Sequence, residues 1–366
     1  MYLKHLSLVN YKNIVQAEMD FSPKINCFIG ANGAGKTNVL DAIYYLSYCK
    51  SYTNNIDIQN ITHDSDFFVI QGNYVINEVE ETVYCGLKRR QKKHFKRNKK
   101  EYERLSEHIG VLPLVLVSPD DSRLISDGSD ERRRFVDAII SQHDREYLHT
   151  LIQYNNALVQ RNSLLKNDCS DSTLYEIWEE QLANFGSFIY NKRQQFIDRF
   201  VPVFQHYYNY LSQGGEEVSL HYESQLQRGD LFGQLAASRN RDRLLGYTTH
   251  GTHKDDLEML LGTYPIKRVG SQGQNKTYLV ALKLAQFSFL KQTSKMNPIL
   301  LLDDIFDKLD SIRVKQIIHL VSEDNFGQIF ITDTNREHLD EIIREISQDT
   351  RMFTVNRGGV EKISSQ

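Results

Sequence analysis

Two rhythms of apolar and polar positions run along the chain. At the start, Tyr2, Leu3, Leu6, Leu8 and Val9 outline a strand, Asn10 to Asn13 a polar turn, and a second strand ends near Phe21. Ile25, Cys27, Phe28 and Ile29 are denser and predict a buried strand. Val39, Ala42, Ile43 and Leu46 fall at i, i+3, i+4 and i+7, which predicts a helix packed on it. A two-residue period returns in Phe68, Ile70, Gly72, Tyr74 and Ile76 and in Val83, Cys85 and Leu87, predicting an antiparallel hairpin. Val111 to Val117 predicts another buried strand.

The rhythm then changes. Residues 131 to 211 contain one glycine, Gly186, and one proline, Pro202, and Trp178, Leu182, Phe185 and Ile189 recur at helical spacing. This predicts an inserted helical lobe divided at Asn167 to Ser172. Strand patterns resume at Val218, Leu220 and Tyr222 and at Leu257, Met259 and Leu261. Tyr278, Ala281, Leu282, Ala285 and Phe289 form one helix face. Ile299 to Leu302, four consecutive aliphatics, predict a central parallel strand buried on both sides.

Between the strand at Ile25 and the helix at Val39 lies Gly30, Ala31, Asn32, Gly33, Ala34, Gly35, Lys36 and Thr37. It fits G-x-x-x-x-G-K-[ST]: glycines let backbone N–H groups wrap a phosphate chain, Lys36 reaches the outer phosphates, and Thr37 offers a hydroxyl to Mg²⁺. At the carboxyl end of the aliphatic strand stand Asp303 and Asp304, where open α/β sheets bind ligands. Asp303 is expected to hold the metal and Asp304 to orient and deprotonate the attacking water. Ser271, Gln272, Gly273 and Gln274 open a helix, where backbone donors and the dipole favour an anion, although a simple helix cap uses the same residues. Asp130 and Glu131, ahead of Arg132, Arg133 and Arg134, are placed to cap a helix.

The chain has 366 residues and a net charge of −3, so it has no global attraction to nucleic acid and any such binding needs local patches. One such run is Lys88 to Lys100, with nine Lys or Arg and one His in thirteen residues. It reads equally as a phosphate-tracking patch with Phe95 available for stacking, or as a solvated hairpin turning near Asn98 whose charges protect a sheet edge. Arg239, Arg241 and Arg243 read as a solvated helix face. Four scattered cysteines without metal-ligand spacing suggest reduced core thiols in a cytoplasmic protein. No run reaches the roughly 18 apolar residues needed to span a bilayer.

Taken together, the P-loop, the SQGQ helix start, ILLLDD and Lys308, Leu309 and Asp310 resemble the ABC-type order of Walker A, signature, Walker B and D-loop. LVNYKN at Leu8, SPDD followed by the Arg132 run, YNNALVQRNSLL at Tyr154 and GTHKDDL at Gly251 extend the likeness to nearly the whole chain, which resembles the RecF family of bacterial recombination and gap-repair ATPases, related to SMC heads. The resemblance implies an α/β, ABC-type P-loop ATPase head with an antiparallel β subdomain and an inserted α-helical lobe. Its expected division is 1–125 (N-terminal half of the head), 126–212 (helical lobe) and 213–366 (C-terminal half).

It further implies ATP and Mg²⁺ as ligands and a homodimer formed only with ATP. In that dimer Ser271, Gly273 and Gln274 of one copy meet the γ-phosphate held by Lys36 of the other. DNA with single-stranded, gapped or junction character is the implied partner, with RecR and RecO, in support of RecA loading and the SOS response. The resemblance also implies an interface role for the RRR helix. Lys308 stands where Glu is common, Thr252 where Pro is common, and Ile331 to Asn335 offers no switch histidine. With Asp304 one methylene shorter than the usual Glu, these departures suggest slow hydrolysis. A scaffold for partner proteins with ATP as a structural ligand is the alternative.

Overall fold

The computed structural model describes residues 1–305, 311–322, 326–335 and 349–363. The chain opens with β1 (Tyr2–Tyr11), β2 (Ile14–Asp20), β3 (Ile25–Ile29) and α1 (Lys36–Tyr48). There follow β4 (Phe67–Ile76), β5 (Val79–Lys88), β6 (His94–Arg97), β7 (Lys100–Glu101) and β8 (Leu114–Val117). Next come α2 (Arg123–Ser126), α3 (Ser129–Ser141), α4 (Arg145–Lys166), α5 (Ser172–Ser212), β9 (Val218–Glu223) and α6 (Leu231–Leu245). After β10 (Asp256–Leu261), β11 (Tyr264–Pro265), α7 (Ile266–Val269) and α8 (Gln272–Ser294) come β12 (Ile299–Asp303) and α9 (Ser311–Ser322). The last strands are β13 (Ile329–Asp333), β14 (Thr350–Asn356) and β15 (Gly359–Lys362).

These elements form two compact units. One comprises Met1–Asp121 and Gln286–Gln366, the other Ser122–Ala285. In the first, an antiparallel sheet of order β2-β1-β4-β5-β6-β7 and a mainly parallel sheet of order β15-β14-β3-β13-β12-β8 both contact α1. Their side chains merge in one core, in which Leu3, Leu6, Val39, Ile43, Leu46, Ile70 and Phe330 are all fully buried. Every residue of β12 and of β13 is buried, and in β12 the uninterrupted aliphatics Ile299 to Leu302 fit a strand covered on both faces. The β4–β5 register pairs Phe68 with Leu87, Ile70 with Cys85 and Gly72 with Val83, so the alternation predicts both strands and register. The hairpin turns on Asn77 and Glu78, whose φ values of 49° and 67° match the twist of the flanking strands.

The second unit carries the long helices. α5 runs for 41 residues with Asp171 capping it by accepting from Thr173 N–H. Gly186 lets α6 approach, because a Cβ there would sit 2.7 Å from Leu231 Cδ2. Arg161 is fully buried and bonded to Glu179, Asp242 and Thr248, so no charge of this triad stands alone. The division expected from the resemblance places 213–366 in the C-terminal half of the head; within Ser122–Ala285, β9 packs on α5 and β10 on α3. The chain re-enters the first unit within α8.

Among the described residues no helix is long and apolar enough to cross a membrane.

Candidate functional site

The P-loop is built by the exit of β3 into α1. Gly33 and Gly35 take φ of 77° and 118°, left-handed values that a side chain disfavours. Gly35 occupies the N-cap position of α1 and offers no side-chain cap; Asn38 N–H donates to Gly35 O at 3.0 Å, and the Lys36 and Thr37 N–H groups ahead of it keep their capacity for an external anion. The Lys36 ammonium donates to Gly30 O at 2.7 Å and Ala31 O at 3.2 Å, folded back over its own loop at the end of a flexible stem. Asn32, Gly33, Gly35, Lys36, Thr37, Asn38 and Asp304 line one cavity of about 150 Å³.

Asp303, nearly buried at the end of β12, receives three hydroxyls. Thr37 Oγ1 donates to Oδ1 at 3.1 Å, Thr332 Oγ1 to Oδ1 at 2.7 Å, and Tyr52 Oη to Oδ2 at 3.0 Å. Thr332 also accepts the Asp304 N–H at 2.9 Å, so one hydroxyl on the adjacent strand aligns both acids. Asp304 turns with φ of 50°, which lets it leave the strand line and line the cavity. Burial, and then the charge of Asp303, push the Tyr52 phenol well above its usual pKa, keeping it a neutral donor. Thr37 and Asp303 supply hard oxygen ligands side by side, which suits Mg²⁺ with its preference for few protein oxygens plus phosphate.

Residues outside the P-loop hold it in place. Asn13 donates to Ala34 O at 3.1 Å and accepts from Asn38 at 2.7 Å, while Gly358 N–H donates to Ala34 O at 2.9 Å. A Cβ on Gly35 would lie 2.8 Å from Asn13 Oδ1, and one on Gly30 would strike Val355 O. Asp41, fully buried on α1, accepts from Tyr11 Oη at 2.6 Å, Ser51 Oγ at 2.7 Å and Tyr52 N–H at 2.8 Å, and pairs with Lys12. The LVNYKN stretch thus buttresses the nucleotide loop. Tyr52, Thr332 and Asp41 escape notice in sequence because single Tyr, Thr and Asp residues carry no spacing signal.

Ser271 and Gln274 form a reciprocal cap at the start of α8: Gln274 N–H donates to Ser271 Oγ at 3.2 Å and Ser271 N–H to Gln274 Oε1 at 2.7 Å. Gln274 also donates to Glu216 at 2.7 Å. Both residues lie in the second unit with Gly273. Lys308, Leu309 and Asp310 fall outside the described residues.

Three expectations change. Phe95 is buried at 1% exposure against His108 and Tyr102, so it cannot stack on a base. Asp130 and Glu131 make no cap on α3 and instead pair with Arg133 and Arg134. Arg132 is an internal strut, bonded to both carboxylate oxygens of Asp256 at 2.7 and 2.9 Å, and Arg133 donates to Asp255 O; only Arg134 of the three is exposed. Arg239 and Arg243 are likewise engaged, with Glu179 and Asp168.

The RecF/RecN/SMC N terminal domain family matches residues 2–358. A DNA replication and repair protein RecF of Parabacteroides distasonis is 61% identical over 361 residues, covering 99% of each chain. That of Bacteroides fragilis is 59% identical over 368 residues and covers both chains fully, at 100%. A solved structure of the recombination mediator protein RecF-ATP in the RecFOR pathway superposes with a TM-score of 0.89 at 28% identity, covering 99% of this chain and 98% of that one. An Smc head bound to the C-winged helix domain of ScpA shares the fold, with a TM-score of 0.61 at 17% identity and coverage of 100% and 98%.

Proposed function

The chain belongs to the RecF family, and we propose that it acts as an ATP-gated dimeric clamp on single-stranded, gapped or junction DNA in recombinational repair and replication. The observation that carries this reading is the meeting of Thr37 and Asp303 at 3.1 Å beside a cavity lined by Lys36 and Asp304. In it, Lys36 leaves the carbonyls of its own loop for the outer phosphates, and the α1 N-terminus and Gly33 to Gly35 receive the inner ones. Thr37 and Asp303 hold Mg²⁺, which neutralises phosphate charge when bound. Asp304 orients a water and accepts its proton, and its short side chain fits slow turnover.

Each chain supplies half of the site. The capped start of α8, with Ser271, Gly273 and Gln274, approaches the γ-phosphate held by the Lys36 of a second copy, so that only ATP joins the two. The ATP-bound RecF structures support ATP as the ligand, and their place in the RecFOR pathway supports RecO and RecR as partners. Support of RecA loading and of the SOS response, in the cytoplasm, belongs to the same reading.

Light scattering of the full chain with Mg-ATP, Mg-ADP or no nucleotide, on gapped and blunt DNA, tests it. Dimers restricted to ATP, and ATPase activity rising more steeply than linearly with protein concentration, are expected. Monomers under saturating ATP and DNA would refute it. ATP binding without any DNA binding would favour a scaffold for partner proteins.

A further inference from the structure

The outer face of the antiparallel sheet carries an aromatic and cationic surface that the nucleotide site does not use. β5 and β6 place Tyr84 directly opposite Lys96, and β4 places Gln71 on the other side of Tyr84. Tyr84 is partly exposed and lies across Gly86, where a Cβ would come within 2.5 Å of its hydroxyl. The Lys96 ammonium stands over the same ring, 5.9 Å from its centroid. Two depressions flank this ridge and share Tyr84 and Lys96 as a common wall. One, of about 530 Å³, is completed by Gln71, Thr82, Asn98 and Lys99. The other, of about 290 Å³, includes Phe67, which is 42% exposed, and His94.

The charges around the ridge are unbalanced. Within the basic run, Lys93 is consumed by Asp57, Arg97 by Glu81 and His94 by Glu101, and Arg89 donates to Ser65 O. Among the described residues, the side chains of Lys88, Arg90, Lys92, Lys99 and Lys100 make no ion pair or hydrogen bond, and all five are exposed. A cluster of uncompensated cations on a chain of net charge −3 calls for a polyanion. The partly exposed ring and the paired depressions narrow its kind. A duplex presents phosphates and hides its base faces, whereas a single strand offers unstacked bases at the spacing of its phosphates.

We infer that this face, with Tyr84 as its stacking platform and Lys96 and Lys99 along the phosphates, is the contact for a single DNA strand. The inference rests on the DNA-binding reading above and adds to it the surface and the strandedness. The buried Phe95, the aromatic that the basic run itself contains, is replaced in this role by its cross-strand neighbour's neighbour, which the two-residue period turns outward.

The test uses the full chain with saturating Mg-ATP and fluorescein-labelled oligothymidylate or blunt duplex of equal length. Tyr84→Ala is expected to weaken oligothymidylate binding about tenfold and leave duplex and ATP binding unchanged, while Tyr84→Phe, which keeps the ring, binds as the unaltered chain does. Equal loss on both DNAs, or no loss, overturns the platform and leaves the DNA reading standing. Failure of the unaltered chain to bind either DNA overturns the DNA reading itself. Should Tyr84→Ala misfold, photocrosslinking of the unaltered chain to 5-iodouracil DNA decides: a Tyr84 adduct supports the platform, and adducts confined to other surfaces overturn it.

Discussion

Tyr52 Oη and Asp303 Oδ2 lie 3.0 Å apart, so the loop after α1 is bonded to the end of β12 through the acid proposed above to hold Mg²⁺. The same loop is anchored to α1 by the Tyr52 N–H on Asp41, at 2.8 Å. Loop and Asp303 are therefore one mechanical unit, and in the proposed site Tyr52 competes with the cation for one oxygen of Asp303.

Removing that competitor has a definite consequence. Tyr52→Phe is expected to lower the Mg²⁺ concentration needed to retain a fluorescent ATP analogue, at a stability cost of about 1 kcal/mol for the lost hydrogen bond. A titration of Mg²⁺ at fixed nucleotide checks it, and an unchanged or raised requirement would show that Tyr52 does not limit access to Asp303.

Asp304→Asn keeps the shape and removes the carboxylate proposed as the base. Turnover is expected to fall about a hundredfold with ATP affinity retained, and the ATP-bound dimer to persist. Rapid dilution followed by light scattering reads the dimer lifetime; if it matches that of the unaltered chain, Asp304 is not the base. Lys36→Met, by contrast, is expected to abolish nucleotide-driven dimerisation, and dimers formed by that variant with ATP would contradict the role of Lys36.

Gly35 combines a left-handed backbone with a side chain pressing on its hydrogens. Gly35→Ala is expected to cost about 1–2 kcal/mol from φ alone, to displace Asn13 from the loop, and to weaken ATP binding. Calorimetric ATP titration together with thermal unfolding checks both effects, and wild-type affinity in a folded variant would show the loop to be more tolerant than its geometry implies.

His108 is fully buried, bonded to Leu46 O at 2.7 Å, and burial pushes its pKa down to about 4. In the unfolded chain it protonates near 6.5, so between these values the unfolded state binds more protons. Its contribution is present above pH 6.5 and is lost as pH falls toward 4, by about 3 kcal/mol in all. Urea unfolding at several pH values should show this slope, and His108→Gln should reduce it, leaving the share of His253, which burial also pushes down to about 4. An identical slope in the variant would assign the acid sensitivity elsewhere.

Much of the scaffold is legible in the spacing of apolar residues. β4 and β5 announce their register through strict alternation, and β12 announces double-sided burial through four aliphatics in a row. The P-loop, Asp303 and Asp304 stand out because phosphate and metal chemistry demands fixed residues at fixed spacing. Thr332 and Asn13 do not, since they reach the site only through the pairing of β13 with β12 and the turn between β1 and β2. Phe95 shows the reverse failure: composition alone marks it as available, but the parity of β6 sends it into the core.

The position of β3 in its sheet carries a last consequence. Its two neighbours are β13 and β14, so the strand that delivers the P-loop leaves the ribosome early and finds both its partners only when nearly all of the polypeptide has followed. Through that interval an apolar segment with bare edges waits without its mates, the circumstance in which nascent chains stick to one another. The loop that β3 delivers is therefore framed on both sides only once β13 and β14 have been made.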